Sequence, residues 1–173
     1  MFLFNTAITQ VVLNALLETQ NMILPSFEHF ASLKVTVDDP LEVGVTQAGV
    51  RRVIPITGGE VVGNGWRGQV LSGGADYQLI VSPRMAELDA RYVLETESGD
   101  RIYVVNRAIR VAEPEMTRKL MRGEPVDPDL IYFRCTPRFE TESESFKWIT
   151  ESLFIGTGVR NPDSVELHFY RIS

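Results

Sequence analysis

Alternation with a period of two governs most of this chain. Ala31, Leu33, Val35 and Val37 fall on one side of a strand pattern, and Ser32, Lys34 and Thr36 fall on the other. That is the signature of a half-buried β-strand. Asp38-Asp39-Pro40 then marks a turn. Further strand segments are predicted at Leu41–Gln47, Arg52–Thr57, Glu60–Val62, Gly68–Leu71, Tyr77–Val81, Arg91–Glu97, Ile102–Arg110, Leu130–Phe139, Trp148–Thr157 and Val165–Ile172. Most are separated by Gly or Pro clusters such as Ser72-Gly73-Gly74, Ser82-Pro83 and Asn161-Pro162-Asp163. Short strands with turn chemistry between them specify an antiparallel barrel or a sandwich. One short helix interrupts them between Pro114 and Arg122. Pro114 suits its first turn, Gly123 its exit, and Met116 with Leu120 forms its apolar stripe.

The first 27 residues read differently. They carry one charge, Glu18, and Phe4, Ile8, Val11, Val12, Ala15 and Leu16 recur at helical spacing after a capping Asn5 or Thr6. The first basic residue is Lys34, so the charged n-region of a secretory signal is missing. Asn5, Gln10 and Asn14 argue against a membrane span. The expectation is an amphipathic helix docked on the body or on a partner, or a start assigned upstream of Met22. This divides the chain into a leader, residues 1–26, and a body, residues 27–173.

Composition removes several function classes. Seventeen basic against 23 acidic residues leave a net charge of −6 and a pI near 5.0, the wrong balance for neutralising nucleic-acid phosphates. One cysteine excludes an internal disulfide and a CxxC motif, and two histidines leave little for a His-rich metal site. No cofactor, no metal, no nucleic-acid partner and no membrane span are expected, and the location is expected to be cytoplasmic. Gly63-Asn64-Gly65-Trp66-Arg67-Gly68 spells G-x-G-x-x-G, but Gln69-Val70-Leu71-Ser72-Gly73-Gly74 follows it where the dinucleotide fingerprint requires a helix. These glycines are read as turn and bulge residues. Cys135 alternates with Ile131, Phe133 and Phe139 and reads as a buried, inert thiol. His168 is a general-base candidate or a wall residue; His29 reads as ordinary.

Charged residues inside the strand patterns are more informative. Asp76 and Gln78 share one face of a strand; Arg91, Val93 and Glu95 share one face of the next; Tyr103, Val105 and Arg107 follow; Tyr132, Arg134, Thr136 and Arg138 share another. Two readings stand. Either these faces are the wet outside of a barrel filled with aliphatic residues, or several line a ligand cavity. In the second case Asp76, Glu95 and Glu140 are available to pair with Arg91 and Arg134.

Several ordered blocks resemble one family. They are Val50–Gly59, Val70–Gln78, Leu88–Thr96, Gly99–Arg107, Gly123–Pro128 and Tyr132–Arg134 continuing through Pro137–Thr141. The chain from Phe27 onward is similar to the family called domain of unknown function 3237. The resemblance implies a closed antiparallel β-barrel, calycin-like or allene-oxide-cyclase-like. The family's characteristic positions fall on Gly58, Gly59, Gly73, Gly74, Asp76, Gln78, Arg91, Tyr92, Asn106, Arg134 and Phe139-Glu140. Tyr77 stands where the family often has tryptophan, and Ala108 where it usually has glycine.

With that barrel, the expected function is binding of a small hydrophobic or aromatic, oxygenated ligand, with a cofactor-free isomerase, cyclase or lyase step. Asp76 or Glu95 is the expected general base, Arg91 the expected anion stabiliser and Tyr103 a proton donor. Arg134, Gln78, Asn106, Tyr77, Trp66, Trp148, Gly58 and Gly59 are the expected ligand-binding positions. A non-catalytic carrier or sensor, and an interaction barrel without a ligand, remain the alternatives. Homodimerisation is expected through a sheet edge or the Met1–Leu24 segment.

Overall fold

The computed structural model describes residues 23–173; the leader helix expected over residues 1–24 lies almost wholly outside them. Ten strands follow in chain order: β1 (Phe27–Val37), β2 (Leu41–Thr46), β3 (Gly49–Gly63), β4 (Trp66–Val70), β5 (Gly74–Ser82), β6 (Met85–Thr96), β7 (Arg101–Ala112), β8 (Ile131–Thr141), β9 (Leu153–Arg160) and β10 (Ser164–Ile172). Helix α1 (Pro114–Met121) joins β7 to β8. Every pairing is antiparallel. The sheet runs β1-β10-β9-β8-β7-β6-β4-β3 and closes where β3 pairs with β1. This is a closed eight-stranded antiparallel barrel with two extra strands.

Long β3 organises the closure. Arg52–Thr57 and Glu60–Val62, read as two strands from sequence, form one strand that continues through Gly58 and Gly59, both at positive φ. A Cβ on Gly59 would run into the carbonyl oxygen of Lys34, so this close approach of β3 to β1 requires glycine. The two halves of β3 have different neighbours. On one edge β4 pairs with Gly59–Gly63 and β5 with Val50–Ile56, so β4 and β5 lie end to end in the slot facing β6. On the other edge β1 gives way to β2. β2 pairs only with β3 among the described residues, and its Leu41, Val43 and Val45 are exposed.

The alternation predicted from sequence sets which side chains fill the barrel. Ala31, Leu33 and Val35 point in, as do Leu88, Leu94, Ile102, Val104, Leu167 and Phe169. One end is plugged by rings: Phe30 lies 5.3 Å from Phe139 and 5.1 Å from Phe154, and Trp66 lies 5.2 Å from Phe146. A 3₁₀ turn over Lys147–Glu151 replaces the first residues of the strand predicted from Trp148. Its Ile149 is buried against this plug. Helix α1 covers the opposite end, burying Thr117 and Leu120. Among the described residues no helix is long and apolar enough to cross a membrane.

Candidate functional site

Between the aromatic plug and α1 the interior stops being aliphatic. β5 turns Asp76 and Gln78 inward, β3 contributes Arg52, β6 Tyr92, and β7 Asn106 and Arg110, while β9 ends in Arg160. Gln78, Arg52 and Arg110 are 4%, 3% and 5% exposed. Except for Arg52, these residues surround one cavity of about 40 Å³, whose other walls include Ile54, Leu88, Phe133 and Leu167. That volume holds about three waters at one probe sphere each. The partly exposed Val37, Arg160 and Val165 mark where it lies nearest to solvent.

Polar atoms here are enclosed without being satisfied. The Asp76 carboxyl accepts a 2.6 Å hydrogen bond from the Gln78 amide through Oδ2, while its Oδ1 has no partner. Tyr92 Oη, Asn106 Oδ1 and Arg52 Nε are likewise buried and unpartnered. Buried polar groups are normally hydrogen-bonded, and each orphan costs about 1–3 kcal/mol. Three of these orphans, Asp76 Oδ1, Tyr92 Oη and Asn106 Oδ1, belong to residues lining the cavity and mark a place where a polar guest would be stabilised.

Burial also moves the ionisable groups. Desolvation pushes the Asp76 carboxyl above its usual range, opposed by the Gln78 hydrogen bond and the charge of Arg110. Desolvation lowers Arg110 to about 10, and the like charges of Arg160 and Arg52 add to that. Arg52 and Arg160 are lowered by burial as well. Tyr92 is pushed well above 10.0, chiefly by burial. A carboxyl whose pKa is raised by burial holds its proton more readily than an ordinary carboxyl and can exchange it with a bound group.

Of the residues singled out from sequence, Asp76, Gln78 and Asn106 come together in this cavity. The others do not join them. Arg91 faces outward and is held by both carboxylate oxygens of Asp89 at 3.2 Å, not by Asp76, Glu95 or Glu140. Glu95 faces outward against Arg101 (2.9 Å) and Gln69 (3.2 Å), and the Arg101 hydrogen bond lowers its pKa. Tyr103 and Tyr77 are exposed on the outer face. Arg134 also lies outside, its guanidinium 5.0 Å from the Tyr132 ring centre. On these strands the wet-exterior reading of the charged faces is the one observed. Trp66 belongs to the aromatic plug, and Trp148 lies at its rim with Arg171 over its ring at 5.3 Å. Gly58 and Gly59 shape β3 and present no side chain to the cavity.

A wider outer depression of about 1080 Å³ is lined in part by Tyr77 and Arg134. Its charged Asp89 is already paired with Arg91 and Arg107, and none of the orphaned atoms lines it. The interior is therefore the stronger candidate. His168, the other base candidate, joins Ser32 and His29 in a hydrogen-bonded chain (2.8 and 2.9 Å) away from the cavity. Sequence reasoning missed Arg52, Arg110 and Arg160, and gave Tyr92 no role of its own. Parity was the available signal. Arg110 lies an even number of residues from Asn106, and Arg52 from Ile54, so each shares its inward face.

Residues 25–172 match the family model described as a protein of unknown function (DUF3237). The chain belongs to this family. Among DUF3237 relatives, the UPF0311 protein RPA1785 of Rhodopseudomonas palustris is 45% identical over 141 residues, 82% of this chain and 92% of that protein. A structure described as beta-barrel like, from Acinetobacter baumannii, is 34% identical with a TM-score of 0.77, covering 89% of this chain and 99% of that one. An enzyme from Penicillium herquei is 19% identical with a TM-score of 0.65, covering 88% and 97%. At that distance the likeness shows the fold alone. The barrel implied by the sequence blocks is the fold observed.

Proposed function

We propose that this DUF3237 protein binds a small oxygenated organic molecule inside the barrel, with Asp76 as the group that moves protons on it. The observation that carries this reading is the set of unpartnered buried atoms Asp76 Oδ1, Asn106 Oδ1 and Tyr92 Oη on residues that line one cavity. A ligand larger than a few waters would reach out of the cavity past Val37, Arg160 and Val165. Asn106 and Tyr92 would orient its oxygens. Asp76 would give a proton to one ligand atom and recover one from another, a cycle that consumes no co-reactant and suits a cofactor-free isomerisation, cyclisation or elimination. Arg110, whose charge Asp76 feels, would stabilise negative charge developing on the ligand. That a distant barrel of this fold is an enzyme supports catalysis by analogy only.

The test is native mass spectrometry of the protein purified from its own source, repeated for Asp76→Asn and Asn106→Leu. The expected result is a retained small molecule in wild type and in Asp76→Asn, and its loss in Asn106→Leu. Wild type should convert the released compound, and Asp76→Asn should not. A retained compound that wild type leaves unchanged makes the protein a carrier. A barrel with nothing retained, and unaltered by either substitution, overturns the reading.

A further inference from the structure

We infer that the α1 end of the cavity is a carboxylate subsite, formed by Arg110 and Arg160 with Arg52 behind them, for a ligand whose remaining body is apolar. This rests on the interior being the binding site. The guanidiniums come from strands far apart in sequence, yet Arg110 and Arg160 line the same cavity, and Arg52 is near enough for its charge to act on both. Like charges buried together are costly unless something of opposite sign joins them.

The protein supplies most of that opposite sign from outside the cavity: Asp163, whose charge acts on Arg160, is exposed. Asp76 is the one carboxyl lining the cavity. Glu42 approaches Arg52 Nε at 3.5 Å from a half-exposed position on β2, without making a hydrogen bond to it. Among the described residues Arg110 and Arg160 form no ion pair. Arg52 Nη1 leans at 3.5 Å toward the carbonyl of Met121 in α1, and Arg160 Nη1 donates to the carbonyl of Ser164 at 3.0 Å. Carbonyls orient the guanidiniums but do not neutralise them.

A guanidinium fork matches a carboxylate in two parallel hydrogen bonds. The surrounding walls are Ile54, Ile56, Leu88, Phe133 and Leu167. They favour an aliphatic or aromatic acid over a free phosphate, which would bring a hydration shell that these walls cannot replace.

Calorimetric titration and thermal melting in a buffer free of small anions test this. The probes are benzoate and hexanoate, their neutral counterparts benzamide and hexanamide, and inorganic phosphate. The proteins are wild type, Arg110→Met and Arg160→Met; the last alters a partly exposed residue and is expected to fold whether or not the first does. Wild type should bind the acids at least tenfold more tightly than the amides. Both variants should erase that preference. Without ligand, each variant should melt at or above wild type, because one repelling charge is gone. Equal binding of acids and amides by wild type overturns the subsite and leaves the interior site standing. Phosphate binding as tight as benzoate overturns the apolar acid. If no probe binds, or if the variants melt below wild type, the subsite is overturned, and the interior site stands or falls by ligand retention alone.

Discussion

Asp76 and Gln78 lie two residues apart on β5, both turned inward, and the Gln78 amide donates to Asp76 Oδ2 at 2.6 Å. The pairing holds the carboxyl in one orientation and leaves Oδ1 directed at the interior without a partner.

Asp76 predicts a pH dependence. Burial raises its folded pKa above the ordinary 3.8, so the folded protein keeps a proton that the unfolded chain releases. The stabilisation is complete below 3.8 and declines as pH rises through the folded value. Asp76→Asn removes that decline. At pH 7 the variant should melt above wild type, and at pH 3.5 the two proteins should converge. Thermal melts at both pH values check this; a variant less stable at pH 7 contradicts it.

Cys135 should be chemically silent. Its thiol is buried and pushed up to about 12 by burial. Alkylation by iodoacetamide at pH 8 in the native state should run about a thousandfold slower than for a free thiol, and become rapid in denaturant. Intact-mass measurement over time reads both rates.

Two glycines at positive φ should respond differently to alanine. Gly59→Ala places a methyl against the Lys34 carbonyl where β3 meets β1, whereas a Cβ on Gly65 meets nothing within 4 Å. Urea denaturation should show a loss above about 3 kcal/mol for Gly59→Ala and about 1 kcal/mol for Gly65→Ala.

Arg91 and Asn106 separate the outer face from the inner one. Arg91→Ala should leave ligand retention and fold stability unchanged, because its partner Asp89 is also outside. Asn106→Ala should abolish retention. Reversal of the two results in native mass spectrometry would move the site to the barrel's exterior.

Much of the fold was legible because period two runs unbroken through β6, β7 and β8 and through most of β1, where Ala31, Leu33 and Val35 point inward as the pattern requires. Continuity of β3 was not legible. Gly58-Gly59 reads as a break, and only the approach of Lys34 shows that it is a tight seam. At the site, Asp76, Gln78 and Asn106 were found, but Arg91 and Arg134 were placed with them because charge inside a strand does not announce its face. The decisive information was parity relative to a neighbouring core residue. It puts Arg110 inside, level with Phe133, and Arg134 outside, level with Ile109.

The meeting of β4 and β5 end to end has a mechanical meaning. A continuous strand carries strain from one rim of a barrel to the other, but here one wall is jointed at the Leu71–Gly73 turn. The arginine end and the ring-filled end are therefore walled by different strands on this side of the barrel. A lineage of such barrels can alter the strand at one end by mutation and retain the same keel at the other.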